Sequence, residues 1–88
     1  MTSYGYELDV ELISTLEKLA KRDKRLYTAV QKKLLQIIEN PYHGKPLKEK
    51  LKGKRRAHIG HFVLIYRINE REHKVIFLEF AHHDEAYK

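Results

Sequence analysis

Six histidines occupy a chain of 88 residues, and four of them stand near the ends of segments with strand character. His58 and His61 flank Gly60, while His82 and His83 close the last apolar run. Imidazole is the side chain whose ordinary pKa lets it both take and give a proton near neutrality. Taken singly, a histidine at a strand end serves a structural role more often than a catalytic one. These four gain interest from their neighbours. Residues 43–56 (HGKPLKEKLKGKRR) hold seven Lys or Arg against the single Glu49, and the rest of the chain balances at eleven basic against eleven acidic residues. The whole excess of +6 therefore lies in one stretch, which favours a polyanionic partner bound in a salt-sensitive way. Imidazoles beside a cationic patch are suited to cutting RNA. One group takes the proton of a 2′-hydroxyl, a second protonates the departing 5′-oxygen, and cations offset the charge building on phosphate. With the 2′-hydroxyl as nucleophile no metal or other cofactor is required. A metal site from His58, His61 and His83 has no HExxH-like spacing behind it.

The composition bounds the class of molecule. Eighty-eight residues, 42% hydrophobic and 34% charged, suit one small domain over residues 1–88 with a modest core. The absence of cysteine excludes a disulfide framework, a thiolate zinc site, an iron–sulfur cluster and a cysteine nucleophile, and it suits a reducing compartment. The longest apolar run, residues 62–66, is far short of the ~18 needed to span a bilayer, and no signal-like stretch follows the N-terminus. A cytoplasmic protein without membrane attachment is expected. The basic stretch, broken by Gly44, Pro46 and Gly53, has no apolar face to lay on a lipid surface.

The elements that must position these residues follow from period and punctuation. Residues 4–8 form a first strand with Tyr4, Tyr6 and Leu8 on one face. Asp9 caps a helix whose apolar stripe is Val10, Ile13, Leu16, Leu19 and Ala20. Asp23 caps a second helix along Leu26, Val30, Leu34, Ile37 and Ile38, which Asn40 and Pro41 terminate. The basic segment is a loop. Beyond it the period changes to two, with strands over residues 55–59, 62–68 and 74–81, a turn at Gly60, and a polar tail from His82. The order β-α-α-β-β-β predicts an α+β fold: a helical hairpin packed on one face of a small antiparallel sheet, the other face partly solvated. Tyr66 alternates with Phe62, Leu64 and Ile68 and belongs to the core. If the last strand runs on, His82 and His83 point to opposite faces, so only one of them joins a given site.

The stretch GKPLKEKLKGKRRAHIGHFVLIYRI resembles the central signature of the RelE/ParE toxin superfamily, and within it the YafQ-like branch. The matching features are Pro46-Leu47 before a Lys/Gly-rich segment, Arg-x-Ala-His-Ile at Arg55 to Ile59, and a strand ending Leu-Ile-Tyr-Arg at Arg67. His83 and Tyr87 supply the closing His-x-x-x-aromatic. The resemblance implies a RelE-like fold and an endoribonuclease that cuts messenger RNA in the ribosomal A site. It also implies a cognate antitoxin with an acidic, partly disordered segment, and a toxin that is monomeric or bridged by that antitoxin. Carried over residue by residue, His58 and His83 are catalytic and Tyr87 stacks on a base. His61 falls where the branch has an active-site Asp and joins the two histidines as a catalytic candidate, a proton-transfer or orienting partner of His83. Lys45, Lys48, Lys52, Lys54 and Arg56 then hold ribosomal and messenger phosphates. Departures are Val63, where many RelE members have arginine, Ala81 near the end of the last strand, where another arginine is usual, and Lys45, where the YafQ branch has histidine. Two alternatives stay open: a ParE-like toxin, sharing the fold but poisoning DNA gyrase and cutting no RNA, and a catalytically weakened RNA-binding member of the family.

Overall fold

Asp9 opens the first helix by accepting the Glu11 N–H on Oδ1 at 2.9 Å, and Asp23 opens the second by accepting the Leu26 N–H at 3.1 Å. The computed structural model, which describes residues 3–86, thereby contains α1 (Val10–Arg22) and α2 (Lys24–Glu39), separated by a single residue. Around them run β1 (Gly5–Leu8), β2 (Lys45–Pro46), β3 (Lys54–Ile59), β4 (Phe62–Asn69), β5 (Lys74–His82) and α3 (His83–Ala86). Two 3-10 turns follow α2, Pro41–His43 leading into the basic segment and Glu49–Leu51 within it. Among the described residues no helix is long and apolar enough to cross a membrane.

The strands form one sheet in the order β1-β5-β4-β3-β2, and the fold is the α+β arrangement expected, a helical hairpin on a small sheet. Four details differ from the sequence reading. The sheet has five strands, because Lys45 and Pro46 pair with Arg56 and Arg55. A two-residue strand carries no periodicity, so nothing local announces it. The sheet is mixed, with β1 parallel to β5. No hairpin joins those two strands, so turn geometry does not impose an antiparallel pairing on them. In α1 the buried residues are Leu12 and Leu16, whereas Val10 is 80% and Ile13 44% exposed. Apolar residues at 10, 12, 13, 16, 19 and 20 support two overlapping stripes, and packing on β5 and α2 selects one. The tail after His82 is a helical turn rather than loose chain. Ala86 is buried there beside Val63 and Ile65.

The main core joins Leu12, Leu16, Val30 and Ile37 of the hairpin to Leu64, Tyr66, Val75 and Phe77 of the sheet. A bulge lets it take both Phe77 and Phe80: Ile65 pairs with Glu79 and Tyr66 with Phe77, so Leu78 is passed over. On the opposite face Val63, Ile65 and Ala86 form a second cluster flanked by Leu47, Leu78 and Ala81. Gly60, at φ +61°, makes the tight β3–β4 turn in the left-handed region that favours glycine. That turn puts His58 and His61 beside the end of β5.

Candidate nucleic-acid site

The site begins with one buried hydroxyl. Tyr66 Oη donates to the Pro41 carbonyl at 2.7 Å and accepts the Gly44 N–H at 3.0 Å, which ties both ends of a four-residue segment to the core. Gly44 fits there because it has no side chain, since a Cβ would collide with the Tyr66 hydroxyl and the Arg56 carbonyl. Arg55 adds a third restraint, donating from Nη1 to the Gly44 carbonyl at 2.7 Å. Its guanidinium carbon also lies 5.0 Å from the centre of the Tyr42 ring.

Beside this segment a cleft opens, lined by Lys33 from α2, His43, Gly44 and Lys45, and by Arg56, Ala57 and His58 of β3. Among the described residues no carboxylate lines it. Lys45 pairs with Arg56 across the β2–β3 ladder, which ends there and leaves the following part of β3 beside the cleft. Partial desolvation first, then the positive fields of Arg56, His83 and Lys45, hold the His58 imidazole below the usual ~6.5 of histidine. The shift favours the neutral ring, the form that can accept a proton.

His83 meets it from the other side. The two rings stack with centroids 5.8 Å apart and planes 20° from parallel. The placement of His83 depends on α3: its N–H donates to the His61 carbonyl at 2.9 Å, and Ala86 is seated in the second cluster. An Asp84 carboxylate oxygen lies 3.7 Å from His83 Nδ1. The ring of His61 pairs instead with His82, at 6.3 Å, and His82 meets the Phe62 ring edge-on. The four strand-end histidines thus form two pairs, His58 with His83 and His61 with His82. Among the described residues no three histidine or carboxylate groups stand so as to hold a metal ion.

Of the residues picked out by sequence, Lys45, Arg56, His58 and His83 come together. Lys54 shares the face of Arg56 and His58 but lies four residues from His58 along β3, roughly 13 Å at strand rise. Lys48 and Lys52 are exposed on either side of the Glu49–Leu51 turn. Tyr87 lies outside the described residues. Sequence reasoning missed two members of the cleft, Lys33 and His43. Lys33 looks like one more solvent lysine on a helix. His43 looks like a turn residue, and its proximity to basic Lys45 was the only available signal.

The model of the ParE toxin of type II toxin–antitoxin systems matches residues 6–87. A Methanocaldococcus jannaschii protein named as a candidate RelE4 toxin is 42% identical over 86 residues, covering 97% of this chain and 92% of that protein. Among solved structures, the toxin–antitoxin complex RelBE2 of Mycobacterium tuberculosis holds a similar chain, with TM-score 0.80 and 28% identity over 92% of this chain and 99% of that one. A RelE mutant of Escherichia coli in the free state has TM-score 0.78 at 14% identity, covering 97% of this chain and 88% of that one. This last likeness is one of fold alone.

Proposed function

The chain belongs to the RelE/ParE toxins of type II toxin–antitoxin systems, and on that premise we propose that it is a ribosome-dependent messenger RNA interferase of the YafQ-like branch. It acts in the cytoplasm as a single toxin domain, and an acidic antitoxin segment holds it inactive. The observation that carries the reading is the His58–His83 pair at the end of a cleft lined by cations and, among the described residues, by no carboxylate. At hydrogen-bond lengths of ~2.6–3.2 Å, two imidazoles so placed reach two oxygens of one phosphodiester.

His58, as the neutral ring, takes the proton from the 2′-hydroxyl as that oxygen attacks phosphorus. The bond from phosphorus to the 5′-oxygen breaks, and His83 gives that oxygen its proton. The products are a 2′,3′-cyclic phosphate and a 5′-hydroxyl. Lys45, Arg56 and Lys33 stabilise the charge building on the phosphoryl oxygens, in place of the arginines that RelE members carry where this chain has Val63 and Ala81. Lys48, Lys52 and Lys54 hold outlying phosphates, and Tyr87 stacks on a base. His61, paired with His82, acts as the orienting partner, its carbonyl accepting the His83 N–H at the turn.

Primer-extension mapping of a defined message on programmed ribosomes tests this. Cuts inside A-site codons are expected with wild-type protein. They should fall at least ~100-fold with His58→Ala or His83→Ala, the usual worth of a positioned acid or base. An intact message with folded wild-type protein overturns the reading, and full activity of a folded His83→Ala variant removes His83 from it. The matching ParE family favours a second reading, a toxin of DNA gyrase. It would inhibit supercoiling while leaving translated messages whole.

A further inference from the structure

Tyr42 stands out on the surface because it is held there. Half of the residue is exposed, yet its backbone is fixed between Pro41 and Gly44, which the Tyr66 hydroxyl binds at both ends. Arg55 is fixed as well, through its bond to the Gly44 carbonyl, and its guanidinium backs the Tyr42 ring at 5.0 Å. An aromatic side chain on an ordinary surface turn rotates freely and loses entropy when it is used. This ring has been oriented in advance.

Its neighbours say what it faces. The next three residues in the chain, His43, Gly44 and Lys45, line the cationic cleft. Three residues span at most ~11 Å of extended chain, so the backbone that carries the ring lies within about that distance of the Lys45 backbone at the cleft. Cations for the backbone beside an aromatic platform for the base are the two parts from which single-strand sites are made.

We propose that Tyr42, backed by Arg55, is a nucleobase shelf that stacks one base of single-stranded RNA whose phosphate lies in the Lys33–Lys45–Arg56 cleft. The ligand class rests on the interferase reading above; the position of the shelf rests on the geometry of residues 41–56. Stacking tolerates every base, so the shelf fixes the register of the strand against His58 and His83 and adds affinity without choosing a codon.

The chain has no tryptophan, so Tyr42→Trp places a single indole on the shelf. Titration with a short single-stranded RNA should quench its fluorescence to saturation, whereas heparin, a polyanion without bases, should bind and leave the emission nearly unchanged. In a direct binding assay Tyr42→Ala should weaken RNA binding by roughly 5- to 100-fold, the range measured for one stacked base, with heparin binding within about twofold of wild type. Tyr42→Phe, which keeps the ring, should bind RNA as wild type does. Equal quenching by heparin, or undiminished RNA binding by Tyr42→Ala, overturns the shelf and leaves the interferase reading standing. A wild-type protein that binds heparin but not RNA overturns the shelf, while the interferase reading is decided separately by the cuts on programmed ribosomes. If Tyr42→Ala loses an acidic antitoxin peptide and keeps its RNA affinity, the surface is a protein contact and the shelf is again refuted.

Discussion

Replacing Tyr66 by phenylalanine should cost this small domain about 3 kcal/mol, and the number follows from two bonds. The hydroxyl donates to Pro41 and accepts from Gly44, partners 25 and 22 residues away in the chain. Burial pushes its pKa up, against smaller opposing pulls from the Gly44 N–H and Arg55, so it keeps the proton it donates. The ring in Tyr66→Phe still fills the core beside Phe77, 6.0 Å away between centroids. What disappears is two hydrogen bonds, each worth ~1 kcal/mol net, and a buried donor and acceptor are left without partners at ~1–3 kcal/mol when water cannot reach them. Pro41 and Gly44 are both buried, so water replaces the hydroxyl poorly and the total falls at about 2–4 kcal/mol. For a domain of this size that is a drop in Tm of very roughly 10–25 °C. Urea denaturation followed by far-UV circular dichroism reads it as a lower midpoint at unchanged slope. A second consequence is local: the released 41–44 segment should weaken RNA binding under conditions where the variant is still folded. A stability loss under about 0.5 kcal/mol would mean that the hydroxyl holds neither end of the segment, and the idea of a preset site would fail with it.

Four further outcomes are expected. Arg56→Gln removes a cation that depresses the His58 pKa, so the His58 ring should titrate closer to ~6.5 by NMR and the acid limb of kcat/KM should move to higher pH; an unshifted titration refutes the electrostatic cause. The same depression bears on stability: the native state binds fewer protons than the unfolded chain just below pH ~6.5, so stability falls as pH drops through the folded pKa. Lys33→Gln combined with Lys45→Gln should reduce the slope of log affinity for single-stranded RNA against log salt by about 1.4, or ~0.7 for each phosphate no longer neutralised; an unchanged slope means that neither lysine meets a phosphate. Ala86→Asp puts a carboxylate where Ala86 is 7% exposed against Val63 and Ile65, so α3 should detach and message cleavage should fall while the main core stays protected from hydrogen exchange. Full cleavage by that variant would show that docking of α3 does not position His83.

The sequence by itself determined the features whose causes lie within a few residues. The two aspartate caps and the Asn40-Pro41 stop bound the helices, and the change of period after the basic segment announces the strands. The fit of Gly60 to a left-handed turn and the alternation that buries Tyr66 are equally local. The strand-end histidines and the confined charge were legible in the same way, as were the motifs shared with the toxin family. Everything decided by contact between distant segments was not. Whether β1 runs parallel to β5, which stripe of α1 faces inward, and that Lys45 pairs with Arg56 depend on packing that no local period encodes. The sorting of four histidines into two pairs followed from the β5 bulge and the helical turn after His82; His43 joined the cleft because Tyr66 draws the 41–44 segment onto the sheet edge, and Lys33 reached it from α2. Caps, turns and alternation are properties of neighbouring residues, so they can be seen in the chain. A site made from separate segments takes shape only when burial of the core brings them to one edge.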